Sequence, residues 1–142
     1  MSNTGHITTK KNLKDAQLLK DVKEIVLRRL GNKIPVKENY NIIVGFQYPW
    51  NVELWLENKN RIGFSAPYRK WSWWVRSIIE NELAVKYSGW ISDEGLEEKW
   101  HGEINKYPTF EDYIKECSKG REKYYLQEWK MEMKDAPKEI EQ

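Results

Sequence analysis

From Leu13 onward, apolar residues recur at steps of three and four: Leu19, Val22, Ile25, Val26 and Leu30. That spacing predicts an amphipathic helix, with Asn12 as its N-cap and Gly31-Asn32, followed by Pro35, as its stop. The residues before it, 1–11, are polar and without a period, and read as a loose tail. The period then falls to two. Tyr40, Ile42, Val44 and Phe46 alternate with their neighbours, as do Val52, Leu54 and Leu56, and then Ile62 and Phe64. Turn formers fill 47–51 and 58–60, so the three runs predict an antiparallel meander.

Register follows from keeping apolar residues on one face. Leu56 then lies opposite Ile62, Leu54 opposite Phe64, and Trp55 over Gly63. A large ring covering a strand glycine shields exposed backbone. Matching Phe46 with Val52 places Ile43 beside Trp55 on the second face, flanked by Glu53, Glu57 and Arg61. Trp55 is a binding candidate if nothing covers that face.

After Pro67 the helical period returns in Trp71, Trp74, Val75, Ile78, Ile79 and Leu83, and Ser88-Gly89 breaks it beyond Tyr87. Ser92 reads as the cap of a short helix carrying Leu96, Trp100 and Ile104, closed by Pro108. Thr109 and Asp112 imitate a capping box before Phe110, Tyr113, Ile114 and Cys117. Tyr124, Glu128 and Met131 continue a weaker stripe, and 135–142 form a charged tail. The expected fold is α+β: an N-terminal helix, a three-stranded antiparallel meander, then three to four helices packed on the sheet. The expected organisation is a single domain, 1–142, with loose ends at 1–11 and 135–142.

Composition narrows the chemistry. Twenty-four Lys and Arg against 22 Asp and Glu leave a net charge of +2, so attraction to a polyanion requires local clustering. The single cysteine, Cys117, excludes an intrachain disulfide, and with only His6 and His101 it excludes a Cys/His zinc site. No metal or cofactor is expected. No apolar run approaches the roughly 18 residues of a membrane span, and the N-terminus lacks a signal-like core, so the expectation is a cytoplasmic chain without a membrane partner. The unusual feature is eight tryptophans and eight tyrosines in 142 residues. That supply exceeds what one small interior requires, and aromatic rings anchor interfaces.

Four constellations could carry chemistry. In 67–76, Trp71, Trp74 and Val75 point to the core, which leaves Arg69, Lys70, Trp73 and Arg76 on the outside as an anion-binding patch. Glu53 and Glu57-Asn58-Lys59 form the second. With them, the order helix, three strands, helix resembles in outline the core of the restriction-endonuclease-like nucleases. In that family an acid on the second strand and an acid-x-Lys on the third bind a divalent metal that activates water. Here Glu57-Asn58-Lys59 closes the second strand instead, and 61–66 contains no carboxylate. Third, Glu97 and His101 stand four apart on one side of a helix, the spacing of a half metal site or a proton-transfer pair and equally of an exposed ion pair, which is the commoner case. Cys117 falls on an apolar stripe, where burial quenches a thiol. Last, Tyr125, Trp129 and Met133 form a ladder on a C-terminal helix with apolar groups on more than one side.

These residues predict a small non-enzymatic binding or adaptor protein that engages a protein partner or a second copy of itself. Its candidate contacts are Trp55, Arg69, Lys70, Trp73, Arg76, Tyr125, Trp129 and Met133. A nucleic-acid-binding protein using 68–76 is the first alternative. A metal-dependent hydrolase using Glu53, Glu57 and Lys59 is the second.

Overall fold

The structure, a computed structural model, describes residues 2–32, 34–46, 48–93, 99–100 and 112. Its elements run β1 (Ser2–Thr8), α1 (Asp15–Leu30), β2 (Val36–Asn39), β3 (Asn41–Gly45), β4 (Asn51–Asn58), β5 (Arg61–Pro67), α2 (Lys70–Lys86), β6 (Trp90–Asp93) and β7 (Lys99–Trp100). All strands join one antiparallel sheet in the order β2-β3-β4-β5-β1-β6-β7.

This corrects the expected fold. The chain opens with a strand and not a helix, the sheet has seven strands and not three, and the described residues contain two multi-residue helices where a larger set was expected. The first residues are no loose tail. Strand β1 pairs with β5 through Ile7↔Ile62 and with β6 through Ile7↔Ile91, and so lies inside the sheet. Its inward residues from Thr4 on are Gly5, Ile7 and, just beyond the strand, Thr9, all buried. Only one of the three is a large apolar residue, so the strand leaves almost no hydrophobic signature. Ser92 likewise extends β6 and caps no helix; Ile91 is that strand's single buried aliphatic residue. Trp100 belongs to β7.

The meander itself stands where its period put it. Leu56 pairs with Ile62, Leu54 with Phe64 and Trp55 with Gly63. One register differs: Val44, not Phe46, pairs with Val52, and Ile43 lies opposite Glu53. The turn decides this. Phe46 N–H donates to the Trp50 carbonyl (3.1 Å), which closes the loop early. Gly45 takes φ 109°, and a Cβ there would sit 2.3 Å from the Trp50 oxygen, so only glycine fits. A two-residue offset returns every side chain to the same face, and the apolar face is therefore intact.

Both helices pack on that one face. Helix α1 buries Leu18, Val22, Ile25, Val26 and Leu30; α2 buries Trp71, Val75, Ile78, Ile79 and Leu83. They close over Ile7, Val44, Val52, Leu54, Ile62 and Phe64. Polar contacts join the helices at their edge. Arg28 and Arg29 reach Glu82, Lys86 reaches Asp21, and the Tyr87 hydroxyl donates to Asp21 (2.5 Å). Burial, and then that hydrogen bond, push the Tyr87 phenol well above its ordinary pKa. Among the described residues no helix is long and apolar enough to cross a membrane.

Candidate functional site

The aromatic residues gather where the β3–β4 loop meets the start of α2. The loop contains a cis Tyr48–Pro49 bond. The Ser72 hydroxyl donates to the Pro49 carbonyl (3.1 Å), which ties the loop to the first turn of the helix. Trp50 meets the buried Trp71 edge to face, with centroids 6.4 Å apart. Tyr68 meets Trp73 in the same way at 5.5 Å. Cations lie on the two outer indoles: the Arg69 guanidinium 5.9 Å from the Trp50 centroid, and the Lys70 ammonium 4.1 Å from that of Trp73. Such contacts are worth about 0.5–1 kcal/mol each at an exposed site. Tyr48 and Tyr68 remain 73% and 45% exposed on the outside.

The layers have a physical order. Trp71 is fully buried against the core, Trp50 and Trp73 pack half-buried on it, and the cations and tyrosines sit outermost. Trp73 is therefore a base for Lys70 and Tyr68 rather than a free ring. The Nε1 atoms of Trp71 and Trp73 and the Oδ1 of Asn51 are buried and meet no hydrogen-bond partner among the described residues.

Of the sequence candidates, Arg69, Lys70 and Trp73 are brought together here. Arg76 is not. It is buried and donates through Nε and Nη2 to the Glu80 carboxylate (3.2 and 3.0 Å), one turn along α2. Its place on the apolar side follows from packing on nearly every side of the helix, which a two-sided reading of 67–76 does not anticipate. Trp55 lies on the sheet face opposite the two helices, half-buried, with its ring against Gly63; a Cβ on that glycine would fall 2.5 Å from Cε2.

The acidic set does not converge. Glu53 accepts from Asn41 (3.2 Å), while Glu57 bridges His6 (2.8 Å) and Arg61 (3.1 Å) on the far side of Trp55. Lys59 sits in the following turn, where its carbonyl accepts from Leu13 N–H. Among the described residues no group of three His, Cys, Asp or Glu could hold a metal ion. Tyr125, Trp129 and Met133, and likewise Glu97, His101 and Cys117, lie outside the described residues.

Sequence reasoning passes over Tyr48 and Trp50, because turn formers surround them and they belong to no apolar period. The signal that was available is composition: two large rings in a five-residue turn are costly in water unless something packs on them. His6 is missed for the same reason as β1.

No protein family, curated protein or solved structure matches the chain. What the site does has to be read from its own geometry.

Proposed function

We propose that this chain is a binding module without catalysis of its own, which grips a protein partner at the corner formed by Tyr48, Trp50, Tyr68, Arg69, Lys70 and Trp73. The observation that carries this reading is the layered arrangement: Tyr68, Arg69 and Lys70 seated on indoles that themselves pack on the core, with Tyr48 exposed in the adjoining loop. Rings held in place lose little entropy on binding, which is why rigid tyrosines and arginines dominate interface energetics. A protein fits this corner better than a nucleic acid. With Arg76 withdrawn into its ion pair, two cations remain among the described residues of this corner, whereas strong salt-dependent nucleic-acid binding draws on about 6–10 phosphate contacts.

Affinity capture from the native host, with wild type and a Tyr48→Ala/Tyr68→Ala variant side by side, tests this. The expected result is a discrete protein retained by wild type and lost by the variant. The variant's melting temperature should stay within about 2–3 °C, as for other surface changes. Recovery of the same proteins by both would overturn the site. Captured material that is released by nuclease, and lost steeply with added salt, would move the reading to nucleic acid.

A further inference from the structure

A second site, of opposite charge, lies at the other end of the meander. Strand β4 continues to Asn58, but its pairing with β3 stops at Ile42↔Leu54, because the chain turns back at Tyr40 into β2. A cavity of about 290 Å³ opens in that gap, beneath the first turns of α1. Leu56 and Trp55 give it its accessible apolar surface over the fully buried Leu18 and Leu54, Asp15 and Glu38 supply carboxylates, and Tyr40 stands at it; no Lys or Arg is among the lining residues. Neither carboxylate is paired with a cation of any described residue.

Two further observations point to an occupant. The first is backbone. The Phe46–Trp50 hydrogen bond makes the even-numbered pairs, Val44–Val52 and Ile42–Leu54, the hydrogen-bonded ones of this hairpin. By that alternation the N–H and C=O of Leu56 point to where Tyr40 would pair, two residues beyond Ile42↔Leu54, the last pair of the β3–β4 ladder. The second is Tyr40 itself. It holds φ 61°, a left-handed conformation costly for a bulky residue, and its side chain is 103% exposed. A strained backbone bearing a ring that supports nothing in the fold is a feature to expect where a ligand is held.

We propose that this cavity takes an arginine or lysine of an extended peptide. Its main chain pairs with Leu56, its aliphatic stem lies on the Leu56 side chain, and its cationic head sits between Asp15 and Glu38 at the Tyr40 ring. Leu56 N–H donates to the peptide carbonyl, and the Leu56 carbonyl accepts the peptide N–H, as in strand addition. The volume lies at the bottom of the roughly 300–1,000 Å³ range of ligand pockets, which suits one side chain with its own backbone. The two carboxylates and the ring supply what a guanidinium or ammonium requires.

Calorimetric titration with acetyl-Val-Arg-Val-amide, acetyl-Val-Glu-Val-amide and agmatine tests the assignment. The arginine peptide should bind saturably, and the glutamate peptide about tenfold more weakly or less. An Asp15→Asn/Glu38→Gln variant, checked by its melting temperature for an intact fold, should lose about tenfold for the arginine peptide. The Tyr48→Ala/Tyr68→Ala variant should bind that peptide as wild type does, which keeps this site separate from the one above. Agmatine binding as tightly as the peptide, equal affinity for both peptides, or no saturable binding at millimolar concentration would each overturn it.

Discussion

At the scale of single residues, three positions, Tyr40, Gly63 and Arg76, carry distinct consequences for stability. Tyr40→Gly should raise stability by about 0.5–1 kcal/mol, because relief of a left-handed tyrosine exceeds glycine's added chain entropy. Urea denaturation measures this, and a loss of stability would mean that the ring supports the fold after all. At Gly63 the opposite holds. Alanine there drives a methyl group into the Trp55 ring and should cost about 1–3 kcal/mol. In a Trp55→Ala background most of that cost should vanish, and a double-mutant cycle with additive losses would show that the ring moves aside freely. Arg76 separates the surface reading of 67–76 from the buried one. At 7% side-chain exposure, Arg76→Met breaks the buried pair with Glu80 and should cost about 3–5 kcal/mol, whereas a surface cation would cost almost nothing.

At the scale of elements, the two helices and the meander are legible in the sequence because each carries its own period. Gly31 ends α1 as read, α2 ends at Lys86 just before Tyr87, and the β4–β5 register follows from apolar matching alone. The β3–β4 register does not, since a backbone hydrogen bond in the turn, invisible to hydropathy, selects between two matchings that serve the same face. How the helices are joined is also a tertiary matter. Tyr87 is held by Asp21 from 66 residues away, and its folded pKa lies above the unfolded value of 10.0. Its contribution is therefore complete below about pH 10 and is lost as pH rises above it, since only the unfolded chain ionises readily there. Tyr87→Phe should cost about 1–2 kcal/mol at pH 7 and flatten the alkaline fall in stability. An identical alkaline profile for variant and wild type, measured by denaturant midpoint, would refute that account.

At the scale of the whole molecule, β1 joins β5 to β6 and thereby completes the sheet. Removing residues 1–9 should abolish cooperative unfolding, as followed by near-ultraviolet circular dichroism, whereas loss of a mere tail would leave the transition in place. That one strand separates what the sequence fixes locally from what the fold settles. Hydrophobic period, glycine stops and turn residues specify α1, α2 and the meander, because those signals lie within a few residues of one another. Among the aromatic residues, the sequence supplies an excess of rings but not their fate. Trp71 and Trp74 are buried, Trp50, Trp55 and Trp73 half-buried, and Trp90 is 40% exposed. The ring-and-cation corner assembles residues 48–50 with 68–73, and the acidic cavity assembles Asp15 with Glu38, Tyr40 and Leu56. A strand of small and polar residues such as Ser2–Thr8 becomes a strand only because its neighbours offer it hydrogen bonds and a face to cover. Its pairing energy resides in distant partners, so no local pattern announces it, and tertiary structure alone decides it.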